Sequence, residues 1–144
     1  MYDQSIETRL DSWFNLRKSI ENSENPLHLV WDFFLSRPFI PYNKKINPYN
    51  EKGWPSPWEI IADNHYDDFT KALMIAWTLK LTNRFKNSVV LLKTMVDNNK
   101  KTQYNLVYID NSWVINYSDY GPVLFDQIPS SFEIENIIEV RTPR

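Results

Sequence analysis

The chain of 144 residues contains no cysteine, two glycines and two histidines. The missing cysteine removes disulfides, thiolate metal ligands, thiol redox chemistry and a cysteine nucleophile together. Gly53 and Gly121 are too few for a glycine-rich phosphate loop, and no G-x-S-x-G elbow presents a serine nucleophile. His28 and His65 leave little for an all-histidine metal site. A net charge of −2 without any long basic run argues against nucleic-acid binding through a broad basic face. No apolar run reaches membrane length, and the first residues, MYDQSIETRL, resemble neither a secretory signal nor a transit peptide. The expectation is a soluble, cytoplasmically made protein with no metal, cofactor, membrane or nucleic-acid partner.

What the chain has in excess is aromatic side chains, 15% of residues within a hydrophobic content of 42%. That composition excludes disorder, and the length suits one domain (residues 1–144) with its own core. The stretch from Trp54 to Thr82, WPSPWEIIADNHYDDFTKALMIAWTLKLT, organises the rest. Ser56, Pro57 and Glu59 form a capping box around a proline at the first helical position, predicting a short helix that ends near Asp63-Asn64. Asp67-Asp68 suit the start of a second helix. Beyond it Phe69, Ala72, Leu73, Met74, Ile75, Ala76, Trp77, Leu79 and Leu81 exceed one stripe, so this helix belongs in the middle of the core.

Residues 3–36 read as two amphipathic helices. Ile6, Leu10, Trp13, Phe14, Arg17 and Ile20 keep helical spacing over 3–21; Asn25-Pro26 then caps a helix to about Ser36, with Leu27, Val30, Trp31 and Phe34 on its apolar face. Residues 37–55 read as a wrapping loop whose aromatic residues want burial. Its Lys44-Lys45 pair suits a solvated tip or a partner contact. Residues 56–83 hold the two helices described above. From 88 to 140 the period changes: Ser88–Val96 and Tyr104–Asp110 read as strands, and Asn111-Ser112 turns the chain into a third, Trp113–Tyr117. Over 123–140 helix and strand stay open, with a helical turn at Pro129-Ser130-Ser131 as one option. Helices first and an antiparallel sheet after them make an α+β domain.

The densest polar cluster is Asp63, His65, Asp67 and Asp68. It reads either as a general base or oxygen-ligand metal site of a hydrolase or metal-dependent enzyme, or as turn and cap residues; capping fully explains the carboxylates. His28 reads as a structural histidine. Tyr42, Tyr49, Trp54, Trp58 and Tyr66 could build a stacking platform or simply pack.

Two resemblances sharpen this. The succession YDDFTKALMIAWTL, a strand, then YNLVYIDNSWVINYS resembles the core of the transglutaminase-like, papain-like fold over roughly residues 64–118. That family has a G-D-C-D-D-F-A-x-L helix start, a histidine opening one strand and an aspartate after a G-K-W-x-x-L-D hairpin. By pattern the cysteine falls on Tyr66, the histidine on or beside Tyr104, and the aspartate on Asn116. All three differ, which implies a member without the catalytic triad. NPLHLVWDFFLSRPFI, NPYN, WPSPWEII and YDDFTKALMIAWTLKLT are also similar to a family of small proteins of contractile-tailed bacteriophages, over most of residues 25–117. The resemblances imply a non-enzymatic phage protein acting through protein contacts in the host cytoplasm or the virion. Its partner would be a phage structural protein or a host protein, and an inhibitor of a host enzyme or defence system also suits them. The residues expected at the contact are Tyr42, Tyr49, Trp54, Trp58, Tyr66, Tyr104 and Asn116.

Overall fold

The computed structural model describes residues 5–143, so the expected helical start at residue 3 lies outside the described residues. Four helices precede a five-stranded antiparallel sheet, an α+β domain as the pattern predicts. Helix α1 (Ile6–Asn22) starts at Ser5, whose hydroxyl accepts the Thr8 amide. Trp13, Leu16 and Ile20 face inward. Phe14 and Ile6, assigned to the apolar face by spacing, are instead exposed, and Arg17 lies over the Trp13 ring. Helix α2 (Pro26–Leu35) begins at Asn25 as expected, but that side chain makes no capping bond. The proline at its first position removes one of the unpaired amides of the first turn and presets its backbone for the helix.

Helix α3 (Pro57–Asp63) carries the full capping box: Ser56 Oγ accepts from Glu59 N, and Glu59 Oε1 accepts from Ser56 N. Asn64 ends it in the left-handed region, φ 59°, a conformation asparagine tolerates better than most residues. Helix α4 (Asp68–Lys80) follows, capped by Asp67. From Phe69 to Lys80 every residue except Lys71 is buried, so α4 lies within the core rather than on it. Its polar positions are satisfied in place. Thr78 Oγ1 donates to Met74 O and accepts from Trp13 Nε1, and the Lys80 ammonium donates to the carbonyls of Lys86 and Ser88. Those bonds let a threonine and a lysine sit where an unpaired polar group would be costly.

Strands β1 (Val90–Asp97), β2 (Thr102–Ile109), β3 (Trp113–Ser118), β4 (Gly121–Leu124) and β5 (Glu133–Glu139) stand in the order β4-β3-β2-β1-β5. The β2–β3 turn is built on Asp110 and Asn111, φ 53° and 52°, rather than on Asn111-Ser112. Two consecutive positive-φ residues match the right-handed twist of a hairpin. The ambiguous tail resolves as strand, with Glu133–Glu139 pairing antiparallel to β1. The helical option at Pro129-Ser130-Ser131 is a turn, closed by Phe132 N donating to Pro129 O, while a 3-10 turn lies earlier at Phe125–Gln127. Because β4 and β5 are opposite edges, residues 125–132 must cross the sheet. They do so over the face away from the helices, where Ile128 and Phe132 pack with Met95, Leu106, Tyr108 and Val114. The sheet thus has a helix-covered inner face and a thinly covered outer one. Strand parity (period two) then decides which face each strand residue reaches.

Candidate functional site

The 37–55 segment is a wrapping loop held by few, specific ties. Pro38–Ile40 pairs with Tyr66 through the backbone, Tyr66 N to Pro38 O (3.2 Å) and Ile40 N to Tyr66 O (2.8 Å). Asn43 N donates to Asp67 Oδ2 at 2.9 Å, and Asn43 Nδ2 to His65 O at 3.3 Å. Ile46 is inserted into the core, and Trp54 closes the loop, its Nε1 donating to Asn47 O at 2.6 Å and its ring packing on Phe69 and Trp77. The expectation that all its aromatics seek burial holds only for Trp54. Phe39, Tyr42 and Tyr49 are 65%, 70% and 72% exposed, because Ile46 and Trp54 already anchor the loop and leave the others above it.

Under this loop lies a cavity of about 230 Å³, lined by Pro41, Tyr42, Ile46, Pro48 and Tyr49 from the loop. Asp67, Asp68 and Phe69 from the α4 start, and Thr94, Gln103 and Asn105 from the sheet, complete it. At its floor Asp68 is the hub. Asp68 Oδ2 accepts from Asn105 Nδ2 (2.9 Å) and Asn105 N (3.3 Å); Asp68 Oδ1 accepts from Asn116 Nδ2 (3.1 Å). Asn116 Nδ2 also donates to Asn105 O (2.9 Å), and Thr94 Oγ1 donates to Asn105 Oδ1 (3.0 Å). Asn116 reaches inward because β3 is bulged there. Val114 and Tyr117 both face the outer cluster, so two residues lie between them on the inner side, and Asn116 takes φ 79° to fit.

The structure brings together Tyr42, Tyr49 and Asn116 of the residues singled out in the sequence, and separates the rest. Tyr66 is not at the mouth but 1% exposed, its ring edge-on to Phe34. Burial drives its phenol pKa upward, and the hydroxyl finds no hydrogen-bond partner among the described residues. The parallel pairing with Phe39 fixes its backbone and turns the side chain into the core. Tyr104 faces the outer side of the sheet, stacked on Phe132 at 5.1 Å, while its neighbour Asn105 faces the cavity. Trp54 supports the loop from beneath, and Trp58 lies edge-on to Trp13 of α1, away from the cavity lining. His65 opens onto a different depression with Asp63, Lys44 and Lys45, where Lys45 pairs with Asp63 at 2.8 Å. Asp67 is committed to capping Thr70 N and holding Asn43, so the expected His65–Asp67–Asp68 centre is divided between two surfaces. Among the described residues no group of three histidine, aspartate or glutamate side chains could hold a metal.

Sequence reasoning missed Asn105, Gln103 and Thr94. A signal was present: asparagine is depleted from strands, and Asn105 interrupts the otherwise apolar Leu106–Ile109 run at its edge. Chemically, the floor offers a half-exposed carboxylate inside amide hydrogen bonds, with neither a thiol nor an imidazole among the residues lining it. No helix among the described residues is long and apolar enough to cross a membrane. No protein-family model matches the chain, and no curated protein matches it.

Proposed function

We propose that this is a non-enzymatic protein of a contractile-tailed phage, built on a transglutaminase-like frame and acting through contacts with another protein. Its recognition surface is the rim formed by Tyr42 and Tyr49 and the cavity beneath them. The observation that carries this reading is the pair of largely exposed tyrosines held by a tied loop above a polar floor. Aromatic side chains on an ordered loop over a rigid scaffold supply large contact area at small entropic cost, which is the composition of recognition surfaces. The frame supports the resemblance in kind. A helix start (Asp68) meets one residue from each of two adjacent strands (Asn105, Asn116), the arrangement in which that family places its triad. Here the side chains that meet are an acid and two amides, while Tyr66, the cysteine position by pattern, is buried in the core. An acyl-transfer mechanism needs an activated nucleophile and a base to take its proton, and this trio supplies a carboxylate but no thiol or hydroxyl for it to activate.

The test places a photo-crosslinking amino acid at Tyr42 or Tyr49, and separately at Tyr120, a 91% exposed residue outside the cavity lining. Irradiation in infected cells is expected to give one discrete protein adduct from positions 42 and 49 and none from 120. Equal, diffuse labelling from all three positions would remove the assigned surface. Mass spectrometry of purified virions then separates a structural component, present at fixed copy number, from an accessory protein found only in the lysate.

A further inference from the structure

From the cavity walls we infer that the anchor this site accepts is a cationic side chain of the partner, an arginine inserted between Tyr42 and Tyr49 and paired with Asp68. The inference rests on the protein-contact reading and names its chemistry. It follows from the charge of the cavity taken together with its exposed aromatic rim, rather than from the acidic residues alone. The Asn105 and Asn116 amides donate to Asp68, the Thr94 hydroxyl to Asn105, and the Gln103 amide nitrogen to Glu135, so the donors in the walls are neutral amides and hydroxyls. What the walls keep available is acceptor capacity, in the half-exposed Asp68 carboxylate, together with the faces of two exposed phenol rings. Among the described residues no lysine, arginine or histidine lines the cavity.

The nearest cation is Lys71, whose Nζ stands 3.9 Å from Asp68 Oδ1, too far for a hydrogen bond. With Asp67 and Asp68 both in the lining, the site keeps an excess of negative charge. A group bringing many donors, positive charge and a flat face complements such walls. A guanidinium has all three: five donors, a permanent charge, and a plane that stacks on aromatic rings. An anionic ligand would meet the repulsion of Asp67 and Asp68, with no cationic side chain among the described residues of the lining to offset it.

The probe is a capped pentapeptide with one central arginine flanked by glycines, titrated into the isotope-labelled protein and followed by amide chemical shifts. Its control replaces arginine with citrulline, which keeps the planar end group but lacks the charge and carries a carbonyl acceptor in place of one amino group. The expected result is saturable shifts confined to residues 40–50, 67–71 and 103–105 with the arginine peptide, weakened by salt, and none with citrulline. Asp68→Asn, and separately Tyr42→Leu, should each weaken binding about tenfold or more. Because Asp68 also holds two asparagines, the exposed Tyr42 variant keeps the test informative should the Asp68 variant misfold. Equal shifts with both peptides, or no saturable shift with arginine, overturns the proposal. If the peptide fails while crosslinking from Tyr42 and Tyr49 still yields one partner, the cationic anchor falls and the recognition surface stands. If both fail, the recognition reading itself falls.

Discussion

At Asn116 the backbone takes φ 79° so that one amide can serve Asp68 and Asn105 O together. A non-glycine residue there costs on the order of 1–3 kcal/mol, tolerated only where surrounding bonds over-determine it. Asn116→Ala loses both bonds and keeps the strain, so urea unfolding should show a loss of about 2–3 kcal/mol. Asn116→Gly loses the bonds but relieves the strain, and should lose clearly less. Equal losses would mean that the bulge stores no strain. Tyr66 makes the opposite case. Its hydroxyl is buried without a hydrogen-bond partner among the described residues, so Tyr66→Phe should leave stability unchanged or slightly raised, whereas Tyr66→Ala should cost about 3–5 kcal/mol through the cavity it leaves. The same residue predicts a pH effect. Burial raises its pKa above the unfolded value near 10, so the native state holds a proton that the unfolded chain releases. Stability contributed by the neutral phenol is complete below about pH 10 and falls above it, by up to about 1.4 kcal/mol per pH unit. Tyr108, also raised by burial, acts in the same direction. Denaturant curves between pH 9 and 11 should therefore slope less steeply in Tyr66→Phe than in the parent; identical slopes would contradict the assignment.

Among the elements, the start of α4 joins helix, loop and sheet. Asp67 Oδ1 accepts from Thr70 N as the cap, and Asp67 Oδ2 accepts from Asn43 N, tying the wrapping loop to the core. Asp67→Asn can keep the cap but turns an amide N–H₂ toward the Asn43 N–H, donor against donor. Hydrogen exchange over residues 40–47 should rise several-fold in this variant while α4 amides stay protected; unchanged loop exchange would show that Ile46 and Trp54 hold the loop alone. This junction also marks how far the sequence could be read. The capping box at Ser56, the Asp67 start and the all-round apolar α4 follow from local chemistry and periodicity, so they were legible. The direction of the loop tyrosines was not, because a free Tyr42 and a buried Trp54 have the same local pattern. Tyr66 against Asp68 is a similar case: a resemblance aligned by residue type places Tyr66 at the helix start, but the Phe39 pairing turns it inward and leaves Asp68 at the floor. On the sheet, parity separates Tyr104 from Asn105. Only the β3 bulge, invisible in a pattern of alternating residues, returns Asn116 to the inner face.

For the whole molecule, the architecture explains where an interaction can be placed. The inner sheet face is filled by α4 and the helices around it, and the outer face is crossed by residues 125–132 on their way between the two edge strands. The cavity lies between loop, helix start and strands, where two exposed rings stand over a polar floor. The proposed function is recognition of another protein in the infected cell by these rings. Its most direct test is quantitative affinity purification from infected cells of the parent protein against the Tyr42→Ala/Tyr49→Ala double variant, with matched far-UV spectra to show equal folding. One dominant partner is expected with the parent and its loss with the variant, since both side chains are mostly in solvent and carry little of the fold. An unchanged set of co-purifying proteins, with both chains equally folded, would contradict it.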